Sequence, residues 1–130
     1  MLTIASKIEN LRLVEKFVDD LSAELELSNE IYGNLLVATM EAANNAIVHG
    51  NKLNEDKLVE IEMQKDINEL AIVIRDQGIG FDYSNVPDPT APENIEKING
   101  RGIFLMRKLS DNILFSDNGK MVTLVFNIHK

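Results

Sequence analysis

A carboxylate and an amide one helical turn apart, Glu41 and Asn45, are spaced to act together on a ligand, within a polar stripe. The stripe lies in the stretch Glu41-Ala42-Ala43-Asn44-Asn45-Ala46-Ile47-Val48-His49-Gly50-Asn51. A helical step of about 100° per residue puts Glu41, Asn44, Asn45 and His49 on one side, and Leu36, Met40, Ala43 and Ile47 on the other. Mg2+ keeps several waters and takes its remaining oxygens from phosphates and one or two side chains, so an Asn carbonyl oxygen at position 45 is a sufficient protein ligand. Glu41, a carboxylate one turn away, is placed to accept a proton from an attacking hydroxyl or to orient a water. The bland alternative is a solvated helix face, although Asn is a poor helix former and two in succession need a reason. His49 and His129 have no metal-ligand spacing between them, and a surface or capping role is expected for each.

Two glycine turns follow. Asp76-Gln77-Gly78-Ile79-Gly80 comes directly after an apolar run. A carboxylate at a strand end can accept a hydrogen bond from the exocyclic amine of a purine, and Gly78 and Gly80 would let backbone approach the flat base. Tyr83 stands where the third glycine of a dinucleotide fingerprint would be. Gly78 and Gly80 sit where an EF-hand needs oxygen ligands. A plain tight turn stays open for this fragment. Gly100-Arg101-Gly102 opens an expected helix, whose free N–H groups would cradle phosphate with Arg101 adding a fork-shaped charge. A plain loop is the alternative there. The chain lacks G-x-x-x-x-G-K-[ST], so it has no P-loop.

The elements that must position these residues can be read from periodicity. Met1 to Ala5 suits a short strand. Ile8, Leu11, Val14, Phe17, Val18, Leu21 and Leu25 repeat at helical spacing from Lys7 to about Leu25. Ser28 supplies N-cap chemistry for a second helix to about His49, with Gly50-Asn51 as its left-handed stop. Val59, Ile61 and Met63 alternate with polar residues as in a half-wet strand. A turn at Asn68-Glu69 leads to a central strand over Leu70 to Ile74. A short helix is expected over Gly102 to Leu109, then strands at Ile113 to Phe115 and Met121 to Ile128 joined through Asn118-Gly119. All three prolines and four of the seven glycines fall between residues 77 and 102, the composition of a long functional or disordered loop. The order predicts an α+β two-layer sandwich, with a mixed, mostly antiparallel sheet and helices on one face.

Bulk properties narrow the function. At 130 residues the chain is one ordinary domain. No apolar run approaches the ~20 residues of a membrane span, and the first residues lack the features of a signal peptide. With no cysteine there is no disulfide framework, which fits the cytoplasm. A net charge of -8 argues against direct nucleic-acid binding.

Taken in order, these segments resemble the GHKL ATP-binding superfamily, named for gyrase, Hsp90, histidine kinases and MutL. Its E-x-x-x-N box matches Glu41 and Asn45, its D-x-G-x-G box matches Asp76, Gly78 and Gly80, and its later G-x-G matches Gly100 and Gly102. The N-A-I-x-H-G-N of Asn45 to Asn51 and the G-R-G-I-F-L-M entry to the last helix are similar to small bacterial anti-sigma factor serine kinases of the RsbW and SpoIIAB type. The resemblance implies a Bergerat-type sandwich binding Mg-ATP under a lid at about 77–101. It implies Asn45 as the Mg2+ ligand, Glu41 as general base, Asp76 with Gly78 and Gly80 at the adenine, and Gly100 and Gly102 on the phosphate side. It further implies an anti-anti-sigma (STAS-type) protein as substrate, a sigma factor as a second partner, and homodimerisation on family likeness alone. The family's Gly-Thr before the last strand is absent, since Lys120 follows Gly119, and Arg12 is not in clear register with a family docking arginine. A histidine kinase would need a phospho-accepting helical hairpin before Lys7. The second functional class is a non-catalytic ATP-sensing module.

Overall fold

The computed structural model describes residues 1–79 and 98–128. Along the chain run β1 (Leu2–Ala5), α1 (Leu11–Glu24), α2 (Asn29–Asn45), β2 (Leu58–Lys65), β3 (Glu69–Arg75), α3 (Ile98–Leu109), β4 (Asn112–Ser116) and β5 (Met121–Asn127). The strands form one sheet in the order β1-β2-β3-β5-β4, which puts the near-continuously apolar β3 at its centre. Every pairing among the described residues is antiparallel, so the sheet is not mixed. Tight turns join β2 to β3 and β4 to β5, and α3 with β4 returns the chain so that β5 enters antiparallel to β3.

Alternation gives the sheet one apolar face. Ile4, Val59, Ile61, Leu70, Ile72, Ile74, Val122, Leu124 and Phe126 are buried on it. They meet Val14, Val18 and Leu21 of α1, Leu35, Ala38 and Ala42 of α2, and Ile103 and Met106 of α3 in one cluster. Fully burying each large aliphatic or aromatic side chain contributes about 1.5–3 kcal/mol, so this single helix-on-sheet layer holds the molecule together. No helix among the described residues is long and apolar enough to cross a membrane.

The first helix starts later than its periodicity suggests. A 3-10 turn over Ile8–Asn10 precedes α1, and Asn10 Nδ2 donates to the Ala5 carbonyl at 2.9 Å. The helix closes in a Schellman arrangement: Leu27 N–H donates to Ser22 O at 3.1 Å and Glu26 N–H to Ala23 O at 3.2 Å. Glu26 takes the left-handed position with φ 52°. Ser28 Oγ then caps α2, accepting from Ile31 N–H at 3.2 Å.

The end of α2 departs from expectation. Gly50 and Asn51 do not provide a left-handed stop. The helix widens into a π-turn over Ala46–Gly50, and Asn51 N–H reaches back five residues to Ala46 O at 2.8 Å. Asn51 itself has φ -87°, and the left-handed residues are Lys52 and Leu53 with φ 53° and 60°. Holding the Asn51 side chain inside the fold defers the reversal to two residues that favour it less. The β2–β3 turn is likewise shifted: Asp66 Oδ1 accepts from Asn68 and Glu69 N–H at 2.9 and 2.8 Å, and Glu69 already opens β3. At the other hairpin Asp117, Asn118 and Gly119 all adopt positive φ, as Asn118-Gly119 suggests.

Candidate functional site

The Asn45 amide lies where α2 meets α3. Its Oδ1 is buried and has no hydrogen-bond partner among the described residues. An unpaired buried acceptor costs roughly 1–3 kcal/mol, so a native fold retains one where something else supplies the partner. The Gly102 backbone closes over the same amide. A Cβ at position 102 would stand 2.9 Å from Asn45 Nδ2 and 3.1 Å from Oδ1, which only glycine avoids. Gly102 lies inside α3, which begins at Ile98, and a side chain there would displace the Asn45 amide. Gly100 falls in the first turn of α3, where backbone N–H groups lack intrahelical partners, and Arg101 follows it, exposed.

Asp76 sits just beyond β3 and is held on both sides. Its N–H donates to Lys120 O at 2.9 Å, and its Oδ1 accepts from Gly78 N–H at 2.8 Å. Burial pushes the Asp76 carboxyl above the ordinary carboxylate range, while the Gly78 N–H and the Lys120 charge pull it back. A Cβ on Gly50 would lie 2.5 Å from Asp76 Oδ2, and one on Gly78 would run into the Gly50 carbonyl. Two helix- and strand-end backbones thus meet with no side chain between them, and the carboxylate is wedged at the junction.

Asn51 ties this corner together. Only 1% exposed, it donates from Nδ2 to Ser6 Oγ at 2.8 Å and to Leu58 O at 3.0 Å. Its Oδ1 accepts Gln77 N–H at 2.7 Å. Ser6 Oγ donates onward to Lys57 O at 2.7 Å, and Leu58 N–H donates to Gln77 Oε1 at 2.7 Å. The ends of β1 and α2 and the start of β2 are therefore fastened to the residue after Asp76. Gln77 and Gly78, the first residues of the expected lid, belong to this fixed corner, and Ile98–Arg101 at its far end are helical. Ile79 is exposed, and residues 80–97 of that span, Gly80 included, lie outside the described residues.

Between these groups a pocket encloses about 510 Å3, counting the part open to solvent. Ala42, Asn45, Ala46, His49 and Gly50 form one wall. Ile74, Val122, Phe115 and Met106 give an apolar floor, with Asp76, Gly119 and Lys120 along the edge. An apolar slot carrying a few convergent polar groups is the usual form of a small-molecule site. Of the α2 stripe, the pocket wall takes Asn45 and His49, while Glu41 and Asn44 stand half-buried outside it. Among the described residues no group of three His, Cys, Asp or Glu could hold a metal. The Asn45 Oδ1 is a single oxygen that a cation drawing its other oxygens from phosphate and water could take.

A model of the histidine kinase-like ATPase domain matches residues 4–126. The chain belongs to the histidine kinase-like ATPase family. Among its relatives, an anti-sigma F factor of Clostridium perfringens is 28% identical over 95% of this chain and 91% of its own length. One of Clostridium beijerinckii is 31% identical over 82% and 76%. The serine-protein kinase RsbW of Listeria innocua is 26% identical over 99% and 87%. Within the family, the chain is of this anti-sigma factor and RsbW type, as its motifs suggest, and ATP is the nucleotide that membership implies.

In this histidine kinase-like ATPase domain three pocket or corner residues escaped sequence reasoning. His49, expected in a surface or capping role, is half-buried in the pocket wall: its Nε2 has no partner among the described residues, and burial, then Lys52, lowers its pKa and favours the neutral ring. Lys120 lines the pocket because the β4–β5 hairpin folds back to Asp76. Asn51, expected as part of the helix stop, instead fastens the corner beside Asp76. The one available signal was its place beside Gly50, immediately after the stripe.

Proposed function

We propose that the protein is an ATP-dependent serine kinase working as a partner-switching anti-sigma regulator, which phosphorylates a serine on an anti-anti-sigma (STAS-type) protein and otherwise binds a sigma factor. The observation that carries this reading is the buried, unpartnered Asn45 Oδ1 in the same pocket as the Asp76 carboxylate. Asp76 would accept the 6-amino hydrogen of adenine, the flat base lying on Ile74, Val122 and Met106. Asn45 Oδ1 would hold Mg2+, and Gly100 and Gly102 would lie on the phosphate side. Bound there, the cation would neutralise phosphate charge as the γ-phosphoryl group transfers.

Glu41 lies one helical turn before Asn45 and outside the pocket wall, half-exposed. A base for an incoming protein hydroxyl has to be reachable from outside the nucleotide site, and this position meets that need. In the step, the partner's serine oxygen attacks the γ-phosphorus, the bond to the β–γ bridging oxygen breaks, ADP departs and Glu41 takes the hydroxyl proton. The relatives named anti-sigma F factor and serine-protein kinase RsbW support the partner class.

The test is incubation of the full chain with Mg-ATP and candidate anti-anti-sigma proteins. Phosphoserine on one of them is expected, and Glu41→Ala should lower transfer at least ~100-fold, the scale of general base catalysis, with ATP binding nearly unchanged. If ATP binds and no partner is ever phosphorylated, the chain is an ATP-sensing module.

A further inference from the structure

Lys120 is anchored beside Asp76 through its backbone. Its carbonyl accepts the Asp76 N–H at 2.9 Å, and its own N–H donates to Asp117 O at 3.0 Å. Lys120 and Asp76 line the same pocket. The β3–β5 register, Ile74 opposite Val122 and Arg75 opposite Met121, makes Asp76 and Lys120 the next cross-strand neighbours. The charges of Lys120 and Lys57 both lower the Asp76 pKa, and among the described residues Lys120 makes no ion pair with any carboxylate. An acceptor and a charged donor therefore stand side by side along one pocket edge without satisfying each other.

That pattern has a chemical complement. The 6-amino group of adenine is a donor, and the ring nitrogens on either side of it, N1 on one edge of the base and N7 on the other, are acceptors. Asn45 and His49 line the pocket from α2 and its π-turn. Of the groups lining the pocket, Lys120 is the cationic one, His49 being neutral. A hydrogen bond from an ionised donor is stronger than one between neutral groups.

We infer that Lys120 is a specificity-determining residue of the nucleotide pocket, donating from Nζ to the purine ring nitrogen that flanks the 6-amino group accepted by Asp76. The inference rests on the adenine reading of the pocket given above. It gives the site a two-point contact with the base edge: Asp76 selects a donor at position 6, and Lys120 selects the neighbouring acceptor.

Calorimetric titration of the full chain with ATP, 1-deaza-ATP and 7-deaza-ATP, all with Mg2+, reads this directly, because each deaza analogue replaces one ring nitrogen by C–H. Wild type should bind one of the two analogues roughly 10- to 100-fold more weakly than ATP, the range for a hydrogen bond from a charged donor. Lys120→Met should weaken ATP by a similar factor and bind ATP and that analogue equally, with Lys120→Arg restoring part of the discrimination. Thermal melting checks that the variants fold. Equal binding of all three nucleotides by wild type would overturn the inference without any variant. So would a Lys120→Met protein that keeps the discrimination, or one that binds ATP more weakly but adenosine normally, since the lysine would then be serving phosphate. If wild type binds no Mg-ATP at all, the adenine reading of the pocket falls and this inference with it.

Discussion

Asn45 and Asn51 stand six residues apart at the end of one helix, and the fold treats them in opposite ways. Asn51 has both Nδ2 bonds and its Oδ1 bond made within the protein. Asn45 keeps a buried Oδ1 with no partner among the described residues. The first amide is a fastener, joining β1, β2 and the π-turn to the residue after Asp76. The second is a vacancy in the hydrogen-bond pattern, held open by the close backbone of Gly102. A buried amide whose atoms are all paired contributes to stability; one left unpaired lowers stability until a water, an ion or a ligand supplies the partner. The corner around Asn51 gives the pocket around Asn45 its shape.

The contrast breaks most visibly at the fastener. Asn51→Ala strands the Gln77 N–H and the Leu58 carbonyl and removes a partner of Ser6. With each stranded group costing about 1–3 kcal/mol, thermal melting should show Tm lower by about 10 °C. Nucleotide affinity should fall with it, because the residue after Asp76 loses its hold. A Tm within 2 °C of wild type, by roughly the same conversion, would remove Asn51 from its structural role.

Gly102→Ala sharpens the other half. Alanine favours a helix interior by about 1 kcal/mol over glycine, so the fold should stand or gain slightly. Its methyl carbon would crowd the Asn45 amide at 2.9 Å and turn it. Calorimetry should find Mg-ATP bound roughly tenfold more weakly, about the loss of one hydrogen bond, against an unchanged melting curve. Unchanged affinity would mean that the amide's orientation does not matter.

The smallest expected effects are in pH. His49 has its pKa lowered from 6.5, first by burial and then by Lys52. Its neutral form is favoured by folding, so this contribution is fully present above 6.5 and is lost as pH falls through the lowered value. The decline in Tm between neutral and mildly acidic pH should be shallower in His49→Gln than in wild type. Asp76 works in the other direction, its pKa raised by burial. Its protonated form is favoured by folding, so that stability fades as pH rises from 3.8 through the raised value. Adenine recognition needs the ionised acceptor, so ATP affinity should fall as pH drops through the raised value.

Much of this was legible in the chain because it depends on local patterns. The strand alternation around Val59 to Met63, the Ser28 cap and the Asn118-Gly119 turn all reflect the chemistry of neighbouring residues, and each lies where expected. The pairing of Asp76 with Gly78 was equally local. What stayed hidden arises from distant contacts or from a change of helical period. A regular step of about 100° carries the stripe from Asn45 to His49, but it does not anticipate the π-turn that begins at Ala46. Lys120 enters the pocket only because a hairpin closes on the end of β3, and Gly102 is glycine because of a side chain on another helix. Asn51 acts across 45 residues to reach Ser6, a partnership no sequence window contains.

The central claim is that the Asn45 oxygen is left unpaired for a Mg2+ that arrives with ATP. The most direct measurement is calorimetric ATP binding, with Mg2+ and with chelator, for wild type and Asn45→Ala. Wild type should bind ATP substantially more tightly with Mg2+, whereas Asn45→Ala should keep its Tm and bind ATP equally in both conditions. An Asn45→Ala protein that retains the full Mg2+ enhancement would contradict the account.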